Sequence, residues 1–452
     1  MHLSTIDQLQ ELFHGFGVDT VYVKHLSPKQ DNDKNQIYLG SGLDGVTNLF
    51  PAEIRVRSAS ESLNKRKSEA GKPKLEAKIG LAWIGGDGEL SPAPDARIID
   101  YFQYPEIRLS GFLKGCKSPP DALRRRNQAG YGKRILALGL APTGQVLGYV
   151  LTERDDPLVS AFPDLPELAS APIFRVLAVG APAGATPLGL LSIELARIIK
   201  AGWHQSVILK PSAVGPVPFS GAQGAGYTLE ALLGVAANAS KAPDKYGFEV
   251  KSYGGARISL MTPTPDGGYQ GDHTFREFME RYGHAGVKDD GSRRFTGIHR
   301  SGVVNKGTGM VLRVSGYDPT TGKFVDDTDG IAVQIVVVAT GDVVASWSLE
   351  RLANSWNKKH ASAIYVPVSK REAGDGTSGQ MEYSYGPAAL VGQGTDVWKL
   401  LRAIYAGAVY YDPADSIYAD GKAKVRSQWR INSSGLKDAM KALYTSVEEI
   451  HP

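Results

Sequence analysis

From Phe248 to Lys251 apolar and charged side chains alternate, F-E-V-K. Successive side chains of a β-strand point to opposite faces, so the pattern predicts Phe248 and Val250 against a core, with Glu249 and Lys251 sharing the other face. Upstream, Leu229, Leu232 and Leu233 fall at helical spacing and predict a helix starting near Thr228 as its N-cap, with Glu230 in the first turn. The N-terminal region has a different rhythm. Residues 4–14 carry a helical pattern with Ser4 or Thr5 as cap. Short apolar-rich runs then follow at 21–24, 36–39, 54–56, 75–84, 97–104 and 134–140, separated by Gly, Pro and Asp. Such a series predicts a β-barrel or sandwich with few helices. Between residues 152 and 187 the chain turns acidic and proline-containing and then rich in Ala, Gly and Pro, a composition suited to a linker. The expected organisation is a mainly-β domain over residues 1–165, a linker over 166–189 and an α/β domain over 190–452.

Composition narrows the class. A chain of 452 residues with 42% hydrophobic positions is long enough for two or three buried cores. Its single cysteine, Cys116, excludes an internal disulfide and fits a reducing cytoplasm. The N-terminal MHLSTIDQLQELF lacks a basic and apolar leader, and no run reaches the roughly 18 apolar residues of a membrane span, so a soluble protein away from membranes is expected. Net charge is only +4, which places any nucleic-acid contact in local patches. One such patch runs from Arg108 to Arg134, with eight basic residues (Arg108, Lys114, Lys117, Arg124, Arg125, Arg126, Lys133, Arg134) against one acid, Asp121. A run of this kind also describes an ordinary solvated loop. His273, His284 and His299 are scattered and show no zinc-ligand spacing.

The chemistry concentrates at Glu230, Asp244, Glu249 and Lys251. Hydrolysis of a phosphodiester calls for hard oxygen ligands around Mg²⁺, which carboxylates supply, and for a cation to orient or deprotonate the attacking water. Asp244 and Glu249 are the candidate metal ligands, Lys251 the candidate for the water, and Glu230 a supporting ligand or partner of Lys251. Spacing alone leaves a second reading open, a solvated strand face with a weak ion pair. The motifs T-x-E-x-L-L near Thr228, A-P-D ending at Asp244 and E-x-K over Glu249–Lys251 closely resemble the catalytic core of the MvaI/BcnI restriction endonucleases, relatives of the MutH repair nickases. Gly202-Trp203-His204, Trp347-Ser348-Leu349, Lys358-Lys359 and Trp429-Arg430-Ile431-Asn432 extend the likeness over residues 190–452. The resemblance implies a PD-(D/E)xK (restriction endonuclease-like) fold, Mg²⁺ dependence, double-stranded DNA as substrate, a monomeric enzyme with one active site, and groove contacts from Lys422, Lys424, Arg426 and Arg430.

The N-terminal half resembles a second family. Val21 to Ser27, the Gly42 to Pro51 stretch and Glu106 to Ser110 are similar to the EcoRII-like effector domain of the DNA-binding pseudobarrel family. That likeness implies two arms gripping the major groove, at Lys24 to Gln36 and Tyr104 to Lys117. Its candidate contacts are Lys24, His25, Lys34, Asn35, Glu106, Arg108, Lys114 and Lys117. Arg pairs bidentately with guanine and Glu accepts from cytosine, so Glu106 and Arg108 suit a G·C-rich target, although they also suit an exposed ion pair. Both resemblances imply the target CCWGG. Together they imply a type II, and specifically type IIE, endonuclease that binds two copies of its site and nicks the strands in succession, with a cognate DNA methyltransferase in its host. A MutH-like nickase and a non-catalytic DNA-binding protein are the alternatives.

Overall fold

The computed structural model describes residues 1–28, 35–40, 43–47, 49–57, 74–100, 106–165, 167–168, 173–180, 186–211, 215–237, 244–286, 291–325, 327–357, 360–373 and 380–452. The helix Ile6–His14 begins at Thr5, whose hydroxyl accepts from the Gln8 amide while the Gln8 side chain accepts from the Thr5 amide. This reciprocal cap satisfies donors that a helix start leaves open. Leu9 and Phe13 on its buried face pack against Val21, Val23, Ile135 and Ala137.

Two sheets build the N-terminal half. One has the order Arg175–Ala178, Thr20–Leu26, Arg134–Leu140, Val146–Thr152, Leu81–Ile84, Leu90–Ala93; the other runs Ile37–Gly40, Ile107–Ser110, Arg97–Asp100, Lys74–Ile79, Ala52–Arg57. Between them lie Trp83, Leu138, Ile98, Ile107 and Phe112, and the Trp83 indole donates to the Phe112 carbonyl at 2.7 Å. The apolar run 75–84, expected as one strand, is two. It crosses from the second sheet to the first at Gly80. Leu81 to Ile84 are all buried, which removes the period-two signal that marks a one-sided strand. Arg175–Ala178 lies inside the stretch expected to be a linker, yet it pairs antiparallel with Thr20–Val23. Of the run 97–104, Arg97–Asp100 is a strand, and 101–104 lies outside the described residues.

The C-terminal half is layered round the eleven-residue strand Ser362–Glu372. Its first half is flanked by Glu249–Tyr253, parallel, and Ala389–Gln393, antiparallel; its second half pairs with Met381–Tyr385. Side chains alternate across it. Ile364 and Val366 join Leu191, Leu195 and Leu229 from the helices Pro187–Lys200 and Gly224–Leu232, and Leu233 at the end of the second. Ala363 and Tyr365 face the core that holds Trp356, Leu400 and Leu443 from the helices Leu349–Trp356, Val397–Tyr405 and Leu436–Leu443. Helices on both faces of a sheet bury the strand on both sides. Beside this layer Trp347, Tyr411 and Trp429 form a buried triad with ring centroids 4.8 to 5.3 Å apart. Among the described residues no helix is long and apolar enough to cross a membrane.

The halves touch through backbone chemistry. Asn354 on the helix Leu349–Trp356 accepts from the Ile54 amide at 2.9 Å and donates to the Ile54 carbonyl at 2.8 Å. Ile54 is fully buried. Asn354→Ala therefore strips partners from a buried amide and carbonyl, and is expected to cost about 1–3 kcal/mol. Thermal unfolding should show a lower midpoint, and an unchanged midpoint would mean that water replaces the side chain.

Candidate active site

A tight turn precedes the strand Glu249–Tyr253. Lys245 and Phe248 pair across it, with the Phe248 amide donating to the Lys245 carbonyl at 2.8 Å. Tyr246 takes φ +48° and Gly247 φ +79° to close it. Tyr246 is the only non-glycine residue at positive φ among the described residues. Asp244 enters from this turn, and its Oδ2 accepts from the Val250 amide at 2.9 Å. The hydrogen bond ties the turn's carboxylate to the strand.

Phe248 and Val250 are 3% and 6% exposed and join the helical core. Glu249 and Lys251 accordingly share the opposite face, where Lys251 Nζ lies 2.9 Å from Glu249 Oε1. Their side chains are only 7% and 14% exposed, so this is a buried pair and not a solvated strand face. Burial pulls the Lys251 ammonium toward its neutral form, but the charge and hydrogen bond of Glu249, with Tyr365 and Asp244 nearby, outweigh it. The pKa ends above that of a free lysine, and Lys251 holds its charge. Tyr365 stands directly across from Lys251 in the parallel pairing, and its hydroxyl is 3.3 Å from that of Tyr444. Sequence reading does not find these two tyrosines, because only strand pairing brings residues so distant in the chain beneath Lys251.

Lys251 lines two cavities. One, of about 960 Å³, is lined by Gln223, Tyr227, Glu230, Arg257 and Lys370 as well as Lys251. The other, of about 500 Å³, contains Glu249, Lys251, Arg351, Asn354 and His360. Asp244 lines a third, of about 350 Å³. Asp244, Glu249 and Lys251 thus lie on one turn and strand and Glu230 on the helix Gly224–Leu232, and the four share no single cavity. Glu230 faces the first cavity, whereas Lys251 bonds to Glu249. The expected cap at Thr228 is corrected: the helix spans Gly224–Leu232, starting after Gln223, and Thr228 is buried within it. Its hydroxyl accepts from the Val207 amide at 3.0 Å, which gives this polar group a partner inside the helix.

Among the described residues no three of His, Cys, Asp and Glu group to hold a metal. Asp244 and Glu249 offer two carboxylates, which suits a hard divalent cation that completes its shell with water and substrate phosphate. His299 is buried beside Phe295 and Tyr411, and burial lowers its pKa to about 4 against the pull of Asp412. His273 and His284 are exposed.

The expected DNA contacts divide into free and fixed side chains. Arg430 is fixed, bonding Asp412 at 2.7 Å, Gln428 at 2.7 Å and Ser259 at 3.2 Å, and Asp412 also holds Arg257 at 3.0 Å. Arg257 and Asp412 are missed by sequence reading, since they meet across 155 residues of chain and neither belongs to a motif. Lys422 pairs with Asp420 at 2.8 Å, Lys424 stands over the Tyr418 ring, and the Arg426 amide donates to Asp415. In the N-terminal half Arg108 binds Glu106 at 2.6 Å and Gln36 at 3.4 Å, and it shares a cavity of about 230 Å³ with Lys24, Tyr38 and Arg134. Burial lowers the pKa of Lys24. His25 lies edge-on to Phe162, Asn35 accepts from the Arg125 amide, Lys114 pairs with Asp95 at 3.2 Å, and Lys117 is exposed. Lys34, Lys358 and Lys359 lie outside the described residues.

The MvaI/BcnI restriction endonuclease family model matches residues 193–444, more than half of the chain and the whole of the strand-and-turn site. Among solved structures, the restriction endonuclease MvaI in complex with cognate DNA is 18% identical and aligns over 59% of this chain and 98% of its own, with a TM-score of 0.44. MvaI in the absence of DNA is 16% identical over 60% of this chain and 100% of its own, with a TM-score of 0.32. No curated protein matches the chain. With the family model spanning residues 193–444, the chain belongs to the MvaI/BcnI restriction endonuclease family and is a site-specific DNA nuclease.

Proposed function

We propose that this type II restriction endonuclease hydrolyses double-stranded DNA at CCWGG with Mg²⁺, using Asp244 and Glu249 as metal ligands, Lys251 beside the attacking water and Glu230 as a supporting group. The observation that carries this reading is the buried Lys251–Glu249 pair at 2.9 Å, with Asp244 tied to the same strand through Val250. Bound Mg²⁺ would polarise the phosphate and acidify water. Lys251, charged and largely shielded from solvent, orients that water and offsets negative charge as its oxygen bonds to phosphorus and the leaving oxygen departs. Glu230 borders the cavity that Lys251 opens into.

The wider reading is of the type IIE kind. Residues 1–165 act as an effector domain that binds a second copy of the site, the enzyme is a monomer that nicks the two strands in turn, and a cognate methyltransferase protects host DNA. Its support is chemical: Arg108, Lys24 and Arg134 converge on one N-terminal cavity, and Glu106 fixes the Arg108 guanidinium in a defined orientation. In the catalytic half Arg430 and Arg257, held by Asp412, present oriented donors of the type that reads guanine.

Asp244→Ala, Glu249→Ala and Lys251→Ala are each expected to lower cleavage by about a hundredfold or more while DNA binding survives, and Glu230→Ala to leave residual activity. Cleavage and gel-shift assays on one duplex check this, and full activity of Asp244→Ala or Lys251→Ala removes the assignment. Removing one partner of a buried ion pair costs about 3–5 kcal/mol, so the doubly neutral Glu249→Gln/Lys251→Met protein should melt above Lys251→Ala yet remain inactive.

The N-terminal domain gives a second test. A fragment of residues 1–180, which keeps the strand Arg175–Ala178, is expected to prefer a CCWGG duplex over one with a single changed G·C pair by about 1–3 kcal/mol. Arg108→Ala should shrink that preference. Neutralising Arg124, Arg125 and Arg126 should instead weaken binding to all sequences and flatten its salt dependence. Equal affinity of the unaltered fragment for both duplexes would reduce the domain to an electrostatic tether.

A further inference from the structure

The turn ahead of the strand Glu249–Tyr253 breaks a local rule. Across it the Asp244 and Lys245 amides donate to the Phe248 carbonyl at 3.0 and 3.1 Å, and the Phe248 amide returns a bond to the Lys245 carbonyl. Tyr246 and Gly247, the two residues at its tip, both have positive φ. A two-residue turn of this kind favours Asn-Gly or Asp-Gly, because Asn and Asp tolerate the left-handed region. Here a tyrosine takes that place. Its Cβ disfavours φ +48°, so the conformation persists only where neighbours enforce it.

The neighbour is Glu194. Its Oε1 accepts from the Tyr246 hydroxyl at 2.6 Å and lies 3.6 Å from the Lys245 ammonium, so one carboxylate takes hold of two successive turn residues. A hydrogen bond to an ionised acceptor is shorter and stronger than one between neutral groups. Glu194 is itself firmly placed. It belongs to the helix Pro187–Lys200, whose Leu191, Leu195 and Ile198 are at most 2% exposed. These three side chains pack into one core with Phe248 and Val250, and the Tyr246 ring packs against it. Helix, turn and strand therefore share one apolar frame, and the Glu194–Tyr246 bond is the polar link between helix and turn.

Two residues before Tyr246 is Asp244, whose carboxylate must meet metal and phosphate within about 0.5 Å of the productive geometry to be effective. We infer that Glu194 is a positioning residue for DNA cleavage: by holding the Tyr246 side chain it keeps the turn in the form that presents the Asp244 carboxylate. This rests on the reading of Asp244 as a metal ligand. Glu194 acts through Tyr246, without touching DNA or metal.

The test compares full-length Glu194→Ala, Glu194→Gln, Tyr246→Phe and the double variant Glu194→Ala/Tyr246→Phe with the unaltered enzyme and Asp244→Ala. Glu194→Ala is expected to lower kcat by between about tenfold and a hundredfold with KM for DNA unchanged. In metal-free protein it should also speed hydrogen exchange of the amides between residues 244 and 250, among which the Val250 amide, bonded to Asp244 at 2.9 Å, reports on the carboxylate directly. Tyr246→Phe keeps the ring in the core, loses only the hydroxyl, and should match Glu194→Ala. Because both changes remove one bond, the double variant should be no slower than either single one. Glu194→Gln keeps an acceptor oxygen for the hydroxyl and should recover most of the rate. Unaltered kcat and exchange in Glu194→Ala and Tyr246→Phe, beside an inactive Asp244→Ala, overturn the inference and leave the site reading standing. Rate losses that multiply in the double variant, or no recovery in Glu194→Gln, overturn it too, since they describe a merely structural residue. Full cleavage by Asp244→Ala removes the site reading itself, and the inference with it.

Discussion

A charged lysine buried against a glutamate is costly to make, and the catalytic half of this nuclease is arranged round that constraint. Desolvating two charges takes several kcal/mol each unless geometry and further polar partners compensate. Lys251 and Glu249 meet the requirement by lying two residues apart on one strand face, 2.9 Å from each other, with Asp244 and Tyr365 adding to the local field. The pair contributes little to stability that apolar residues could not match. In the proposed mechanism its use is chemical: a poised ammonium beside carboxylates, lining two cavities.

Everything that positions the pair is ordinary packing. Phe248 and Val250 anchor one face of the strand in a core shared with two helices, which leaves the other face to Glu249 and Lys251. Parallel pairing with Ser362–Glu372 sets Tyr365 beneath Lys251, and the Tyr365–Tyr444 contact closes the floor. The turn before the strand is less secure by itself. It holds a left-handed tyrosine, is bonded to Glu194 and lies beside Tyr22 of the N-terminal half.

Local periodicity made the central strand legible. F-E-V-K alternates over four residues, and the structure keeps that alternation because nothing distant overrides it. The burial of its charged face was not legible, since it depends on the elements packed above it. Thr228 has the residue type of a cap, but it sits inside the helix, where its hydroxyl finds a partner in the Val207 backbone. Residues 75–84 read as one strand because Gly80 interrupts neither pattern nor hydrophobicity, although the chain changes sheet there. Arg175–Ala178 was hidden by Ala- and Pro-rich neighbours that suit a linker. The Arg257–Asp412–Arg430 cluster joins positions 155 and 18 residues apart, and no local pattern reports such a contact.

Cleavage of plasmids carrying one or two CCWGG sites, with Mg²⁺ and with every DNA end sequenced, tests the account most directly. The account predicts breaks confined to CCWGG, a nicked circle that forms before the linear product, and faster cutting of the two-site plasmid. Cleavage elsewhere, or a nicked circle that never becomes linear, would contradict it.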